Sequence, residues 1–226
     1  MPVLSTQQDL LDALRRLLDE PGESQYDDVT LKAWINAACE AVALELEVVV
    51  KMLNISWTAS TVSYTLANAT DLIRIEKASY YEGSQTTYYP IEVVADTQMA
   101  EYYGQLIEQT GAPKVCYIAP QTSASATRSI ALWPVPSVTG TLRLTYTAMP
   151  TVLTATTNTT ELPGPYREYA VQEAYIRGLK SRNRREEAAQ ERAELDRIYA
   201  HIRLKPYTEA NSGLDKIFDY NGNSFI

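Results

Sequence analysis

Residues 56–66, SWTASTVSYTL, mark the point where the hydrophobic period of this chain changes. Val62, Tyr64 and Leu66 alternate with Thr61, Ser63 and Thr65, the pattern of a strand with one face on a core. The residues before it repeat at helical spacing. Residues 5–20 place Leu10, Leu11, Leu14, Leu17 and Leu18 on a helix that Ser5 and Gln8 can cap as a box and Pro21-Gly22 can end. Asp27 or Asp28 can cap a second helix, whose apolar stripe is Leu31, Trp34, Ile35, Ala38, Val42 and Leu46.

Past residue 66 the period of two persists. LIRIEKASYYEG (72–83) and TTYYPIEVVA (86–95) read as strands joined by a hairpin at Gly83-Ser84. A short helix over 97–109, capped by Asp96, interrupts them before Gly111 and Pro113. TGAPKVCYIAP (110–120), SIALWPVP (129–136) and LRLTYTAMPTVLT (142–154) supply further strands, the last two joined through SVTG at 137–140. TATTNTT (154–160) reads as a polar linker. LPGPYREYAV (162–171) opens a helix to about Arg182, with Pro165 in its first turn. Asn183 can cap a last helix, and Pro206 can end it.

These elements predict an α+β fold. The N-terminal helices (1–55) and C-terminal helices (161–205) form one helical bundle, with a small antiparallel β domain (56–160) inserted between them. Residues 206–226 read as an extended tail.

With 226 residues, 45% hydrophobic and 21% charged, the chain can bury a core. A net charge of -8 argues against a phosphate-binding surface spread over the whole molecule. No run approaches the roughly 18 apolar residues of a membrane span. The expectation is a soluble protein made in a reducing cytoplasm, with no membrane partner. Cys39 and Cys116 lie far apart on apolar faces and read as buried free thiols. The Asn54, Asn68 and Asn158 sequons then read as chance matches. Sixteen Tyr against two Phe and three Trp suit strands with one wet face, and interfaces as well.

The sequence offers little chemistry. A Ser–His–Asp triad would have to use the single histidine, His201, which sits among Ile198, Tyr199 and Ile202 on a helix face. No HExxH, GxGxxG or GxxxxGK[ST] occurs. Asp219–Asn223 resembles the start of a calcium loop but lacks its glycine and distal glutamate. The reading is therefore not an enzyme, with no catalytic residues, no metal and no cofactor.

Two features remain. Arg177, Lys180, Arg182, Arg184 and Arg185 form a basic cluster between the last two helices. They can complement a helix dipole, or they can meet an acidic partner or DNA. Leu214, Ile217, Phe218, Tyr220, Phe225 and Ile226 make the tail too apolar for a freely solvated end. It can lie on its own domain or on a partner.

The order of these parts resembles the head-to-tail adaptor (connector, or neck) proteins of tailed bacteriophages. The resemblance rests on LLDALRRLLDE, LKAWINAACEAVA, WTASTVSYTL, DLIRIEKASYY, TGAPKVCYIAP, IALWPVPSVTGTLRLTYTAMP and TELPGPYREYAVQEAYIRGLKSR, over about residues 5–205. It implies a virion structural protein that forms a homo-oligomeric ring, commonly dodecameric, under the portal protein. Such a ring extends the DNA channel, passes genomic DNA without sequence-specific binding, and offers a platform to downstream tail or nozzle proteins. It also implies that Leu214 to Ile226 reach onto the portal. The alternatives are a tail-completion or terminator protein of the virion, and a monomeric cellular binding module.

Overall fold

The computed structural model describes all residues except 1–3, 21–24, 84–86, 96–97, 100–108, 120–127 and 215–226, and only the helix backbone of 204–214. The chain divides into two compact units, one from 1–48 and 150–226, the other Val49–Met149.

The first unit contains α1 (Gln7–Leu17), α2 (Asp28–Leu46), α3 (Gly164–Ser181) and α4 (Arg185–Leu214). Leu10, Leu11, Leu14 and Leu18 of the N-terminal stripe are all buried, as are Leu31, Ile35, Ala38 and Val42 of α2. The cap of α1 differs from expectation by one residue. Thr6 is the N-cap, and its hydroxyl accepts from the Asp9 amide at 3.2 Å. Asp9 Oδ2 in turn accepts from the Thr6 amide at 2.8 Å. Asp27 caps α2, accepting from the Thr30 amide at 2.8 Å.

The α1 cap has a pH signature. Hydrogen bonds from the Thr6 backbone, the Thr6 hydroxyl and Ser5 hold the Asp9 carboxyl at about 2, below its ordinary 3.8. A depressed folded pKa gives stability that is complete above the unfolded value and is lost as the pH falls through the folded one. Asp9→Asn is therefore expected to flatten the stability curve between pH 4 and pH 2. Acid titrations followed by circular dichroism check this, and superimposable wild-type and variant acid limbs would refute it.

Two helices end in the same left-handed motif. After α1, Asp19 (φ 54) places the Glu20 amide on the Arg15 carbonyl and its own amide on the Arg16 carbonyl. After α3, Asn183 (φ 61) does the same for Arg184 on Leu179 and for itself on Lys180. Asn183 thus closes α3 and does not cap α4. The 153–160 stretch is more than a linker. Its Thr156 and Asn158 carbonyls accept the Gln8 and Gln7 amides, and the Leu153 carbonyl accepts Gln7 Nε2 at 2.8 Å. Orphan donors at the start of α1 are satisfied in this way.

The second unit holds β1 (Val50–Trp57), β2 (Ser63–Thr65), β3 (Leu72–Glu82), β4 (Tyr89–Val94), β5 (Thr110–Gly111), β6 (Val115–Ala119), β7 (Ser129–Trp133), β8 (Val135–Pro136) and β9 (Gly140–Ala148). Among the described residues seven strands form one sheet in the order β1-β9-β3-β4-β6-β7-β2. All its pairings are antiparallel except β4–β6, and β5–β8 is a separate parallel pair. Leu142, Leu144 and Tyr146 of β9 point to the core with Trp57, Ile75, Ala78 and Tyr80. Trp57 is fully buried, its indole N–H on the Thr61 carbonyl at 3.0 Å and its ring 4.4 Å from that of Tyr64.

The expected helical bundle with a small antiparallel insert and an extended tail does not hold. The sheet is large, mixed in direction, and begins at Val50, before the predicted boundary at 56. Val48-Val49-Val50 is a β-branched run that reads as helix only because α2 precedes it. The helix itself stops at Glu47, which is left-handed at φ 51. At the other end Pro206 does not terminate α4, whose backbone continues to Leu214. A proline ring removes one helical hydrogen bond but leaves the next turn free to form. The hairpin tip at Ser84 and most of the 97–109 helix lie outside the described residues.

Candidate assembly surfaces

The basic cluster separates into two groups. Arg177, Arg182 and Arg184 are engaged within the helical unit. Arg182 Nη2 lies 3.0 Å from Glu20 Oε1, its Nη1 donates to the Leu18 carbonyl at 2.8 Å, and its guanidinium stands 5.6 Å from the Tyr26 ring centre. Arg177 lies 3.9 Å from the buried Glu173 and reaches the Ala37 carbonyl. Arg184 pairs with Glu187. Lys180 and Arg185 are exposed and have no ion-pair partner among the described residues. They line an open groove of about 530 Å³ with Ala188, Ala189 and Arg192. Arg192 is held in place by Glu173 at 2.7 Å and Asp196 at 2.9 Å.

Of the predicted tail contacts, Leu214 is the last helical residue of α4, and its side chain is not described. Ile217, Phe218, Tyr220, Phe225 and Ile226 lie outside the described residues. His201 is exposed on α4. Among the described residues no group of three or more His, Cys, Asp or Glu side chains could hold a metal ion. No helix of the described residues is long and apolar enough to cross a membrane. Cys39 and Cys116 are buried and free. Burial pushes their thiols up to about 11 and about 12, far from the thiolate needed for nucleophilic work.

The sheet unit gathers tyrosines on one hairpin. Tyr81 and Tyr88 meet edge to face at 4.5 Å, and the Arg143 guanidinium lies 3.7 Å over the Tyr88 ring. Nearby, Tyr80, Glu82, Tyr89, Ala112 and Pro113 line a pocket of about 310 Å³. The Tyr80 hydroxyl donates to the Val138 carbonyl, and burial followed by the Glu82 charge raises its pKa to about 12.

Sequence reading missed the exposed row of β1. Its exposed row is Val50, Met52, Asn54 and Ser56, with Val50 at 58% and Met52 at 63% exposure. The β-branched run at its start is the signal that locates it.

The family model described as SU10 adaptor protein matches residues 5–213. The chain belongs to this family of phage head–tail adaptors, and is thus a structural adaptor of the virion. Compared with curated proteins, the sequence matches none.

Proposed function

We propose that copies of this chain form a ring, commonly of twelve, beneath the portal protein, where it extends the DNA channel and seats the next tail component. The observation that carries this reading is the adaptor-family match across 5–213. A closed ring needs two different complementary flanks on each subunit. The mixed-charge face of α4 can serve as one. Lys180 and Arg185 meet an acidic neighbour, because the chain is acidic overall at -8 and their companions in the cluster are already paired. The same negative charge lets DNA pass without adhering. The apolar residues from Leu214 to Ile226 contact the portal.

Mass measurement and negative-stain imaging of the purified protein, alone and mixed with the portal of its own virion, test the proposal. A ring, or a monomer that becomes a ring on the portal, is the expected result. A monomer that ignores the portal refutes it. Lys180→Glu with Arg185→Glu is expected to weaken assembly roughly tenfold, about 1.4 kcal/mol, without changing the melting temperature, since both residues are exposed. Unchanged assembly would assign these two residues to solvent.

A further inference from the structure

We infer that β1 is an open edge that accepts a strand from a second copy of this chain, extending the sheet from one subunit to the next. The hydrogen-bond phase of the strand carries the inference. The Ala148 amide donates to the Val49 carbonyl at 2.9 Å, so residue 49 and every second residue after it point their backbone groups at β9. Val50, Met52, Asn54 and Ser56 therefore direct their N–H and C=O groups away from the sheet. No backbone partner for these groups occurs among the described residues.

Sheet edges of this length are ordinarily blunted by proline, a bulge, an inward charge or a very short strand. The other edge strand, β2, has only three residues. By contrast β1 runs eight residues against β9 in unbroken register, from Val50↔Thr147 to Trp57↔Gly140. It contains no proline or glycine, and its one charged residue, Lys51 near the start, is paired with Asp71 at 2.8 Å, leaving Met52–Trp57 without charge. Val50 and Met52 are exposed on one face beside Asn54 and Ser56, while Leu53 and Ile55 are half-buried on the other beside Lys51. An added strand would cover both rows.

Charge favours a second copy as the occupant. Residues 49–149 contain six of the 20 Lys and Arg and seven of the 28 Asp and Glu. The sheet unit thus carries -1 of the formal -8, and the helical unit carries the remaining -7. Two copies that meet through the sheet bring together units of almost no net charge. The inference rests on the ring reading above, which excludes β1 itself as the donor. Pairing of β1 with β1 would be two-fold and would close a dimer, so the incoming strand is a different segment of the neighbour.

Met52→Pro is the test. It removes an N–H that β9 does not use, and proline is tolerated at such edge positions. Met52→Thr changes the same side chain but keeps the N–H. The full chain and both variants are sized alone and on the portal, with melting temperatures alongside. Support would be rings for the wild type and Met52→Thr, and loss of rings for Met52→Pro at an unchanged melting temperature. Rings of Met52→Pro would overturn the strand inference and leave the ring reading standing. A wild type that never forms rings would overturn the ring reading itself. A dimer that Met52→Pro abolishes would overturn the inference too, since β1 would then be pairing with itself. Should Met52→Pro melt early, N-methylation of the same amide by semisynthesis gives the same readout.

Discussion

Arg182→Ala is expected to destabilise the helical unit by about 3–5 kcal/mol, the usual cost of leaving one member of a buried ion pair behind. The Glu20 side chain is 3% exposed, and Arg182 is its ion-pair partner at 3.0 Å. The same guanidinium donates to the Leu18 carbonyl in the last turn of α1. A single side chain on the end of α3 therefore serves a carboxylate and a backbone acceptor at the end of α1. The Glu20 backbone is held in place, its amide committed to the Arg15 carbonyl. Exchanging both partners, Arg182→Met with Glu20→Leu, is expected to be close to neutral, since no charge is then stranded. Urea denaturation of the two variants distinguishes these cases. A loss below about 1 kcal/mol for Arg182→Ala would mean that water reaches Glu20 freely.

Gly140→Ala is the second large effect, at about 3 kcal/mol or more. Gly140 opens β9 and is paired on both sides, with Trp57 of β1 and Glu82 of β3. A methyl group there would fall on the Tyr81 carbonyl oxygen and the Tyr80 hydroxyl, and 2.6 Å from Tyr80 Cζ. The backbone oxygen cannot swing aside, and Tyr80 is itself buried and bonded to the Val138 carbonyl. The strand pairing must open or the tyrosine must leave its site. Gly164→Ala is the control, because nothing lies within 4 Å of a methyl group there. It is expected to stay within about 0.5 kcal/mol of wild type. Equal denaturation midpoints for the two alanine variants would show that the sheet yields more easily than its packing implies.

Local chemistry was legible in the sequence where one residue and its near neighbours decide the outcome. The leucine spacing of α1, the Asp27 cap and Pro165 in the first turn of α3 are of this kind. So is the adaptor resemblance, which depends on the order of such elements. Asn183 misled because the same residue type serves as an N-cap and as a left-handed helix end. The sheet was underestimated because its pairings are not local. β1 meets β9 some ninety residues later, and the β4–β6 pair is parallel, a relation that alternation along one strand does not encode. The basic cluster was legible as a cluster, but its division was not. Glu20 and Arg182 lie 162 positions apart, and nothing near either one announces the other.

The hydrogen bond between Val49 and Ala148 has a consequence for how the chain is assembled in time. The helical unit is made of two stretches separated by the 101 residues from Val49 to Met149. Bringing the ends of a disordered loop of about 100 residues together costs on the order of 4 kcal/mol of chain entropy. Once β1 lies along β9, the ends of that loop are already side by side, 2.9 Å apart at this bond. The C-terminal helices then search for the N-terminal ones as though joined by a short tether. Pairing of β1 with β9 thus shortens the loop that the helical unit has to close.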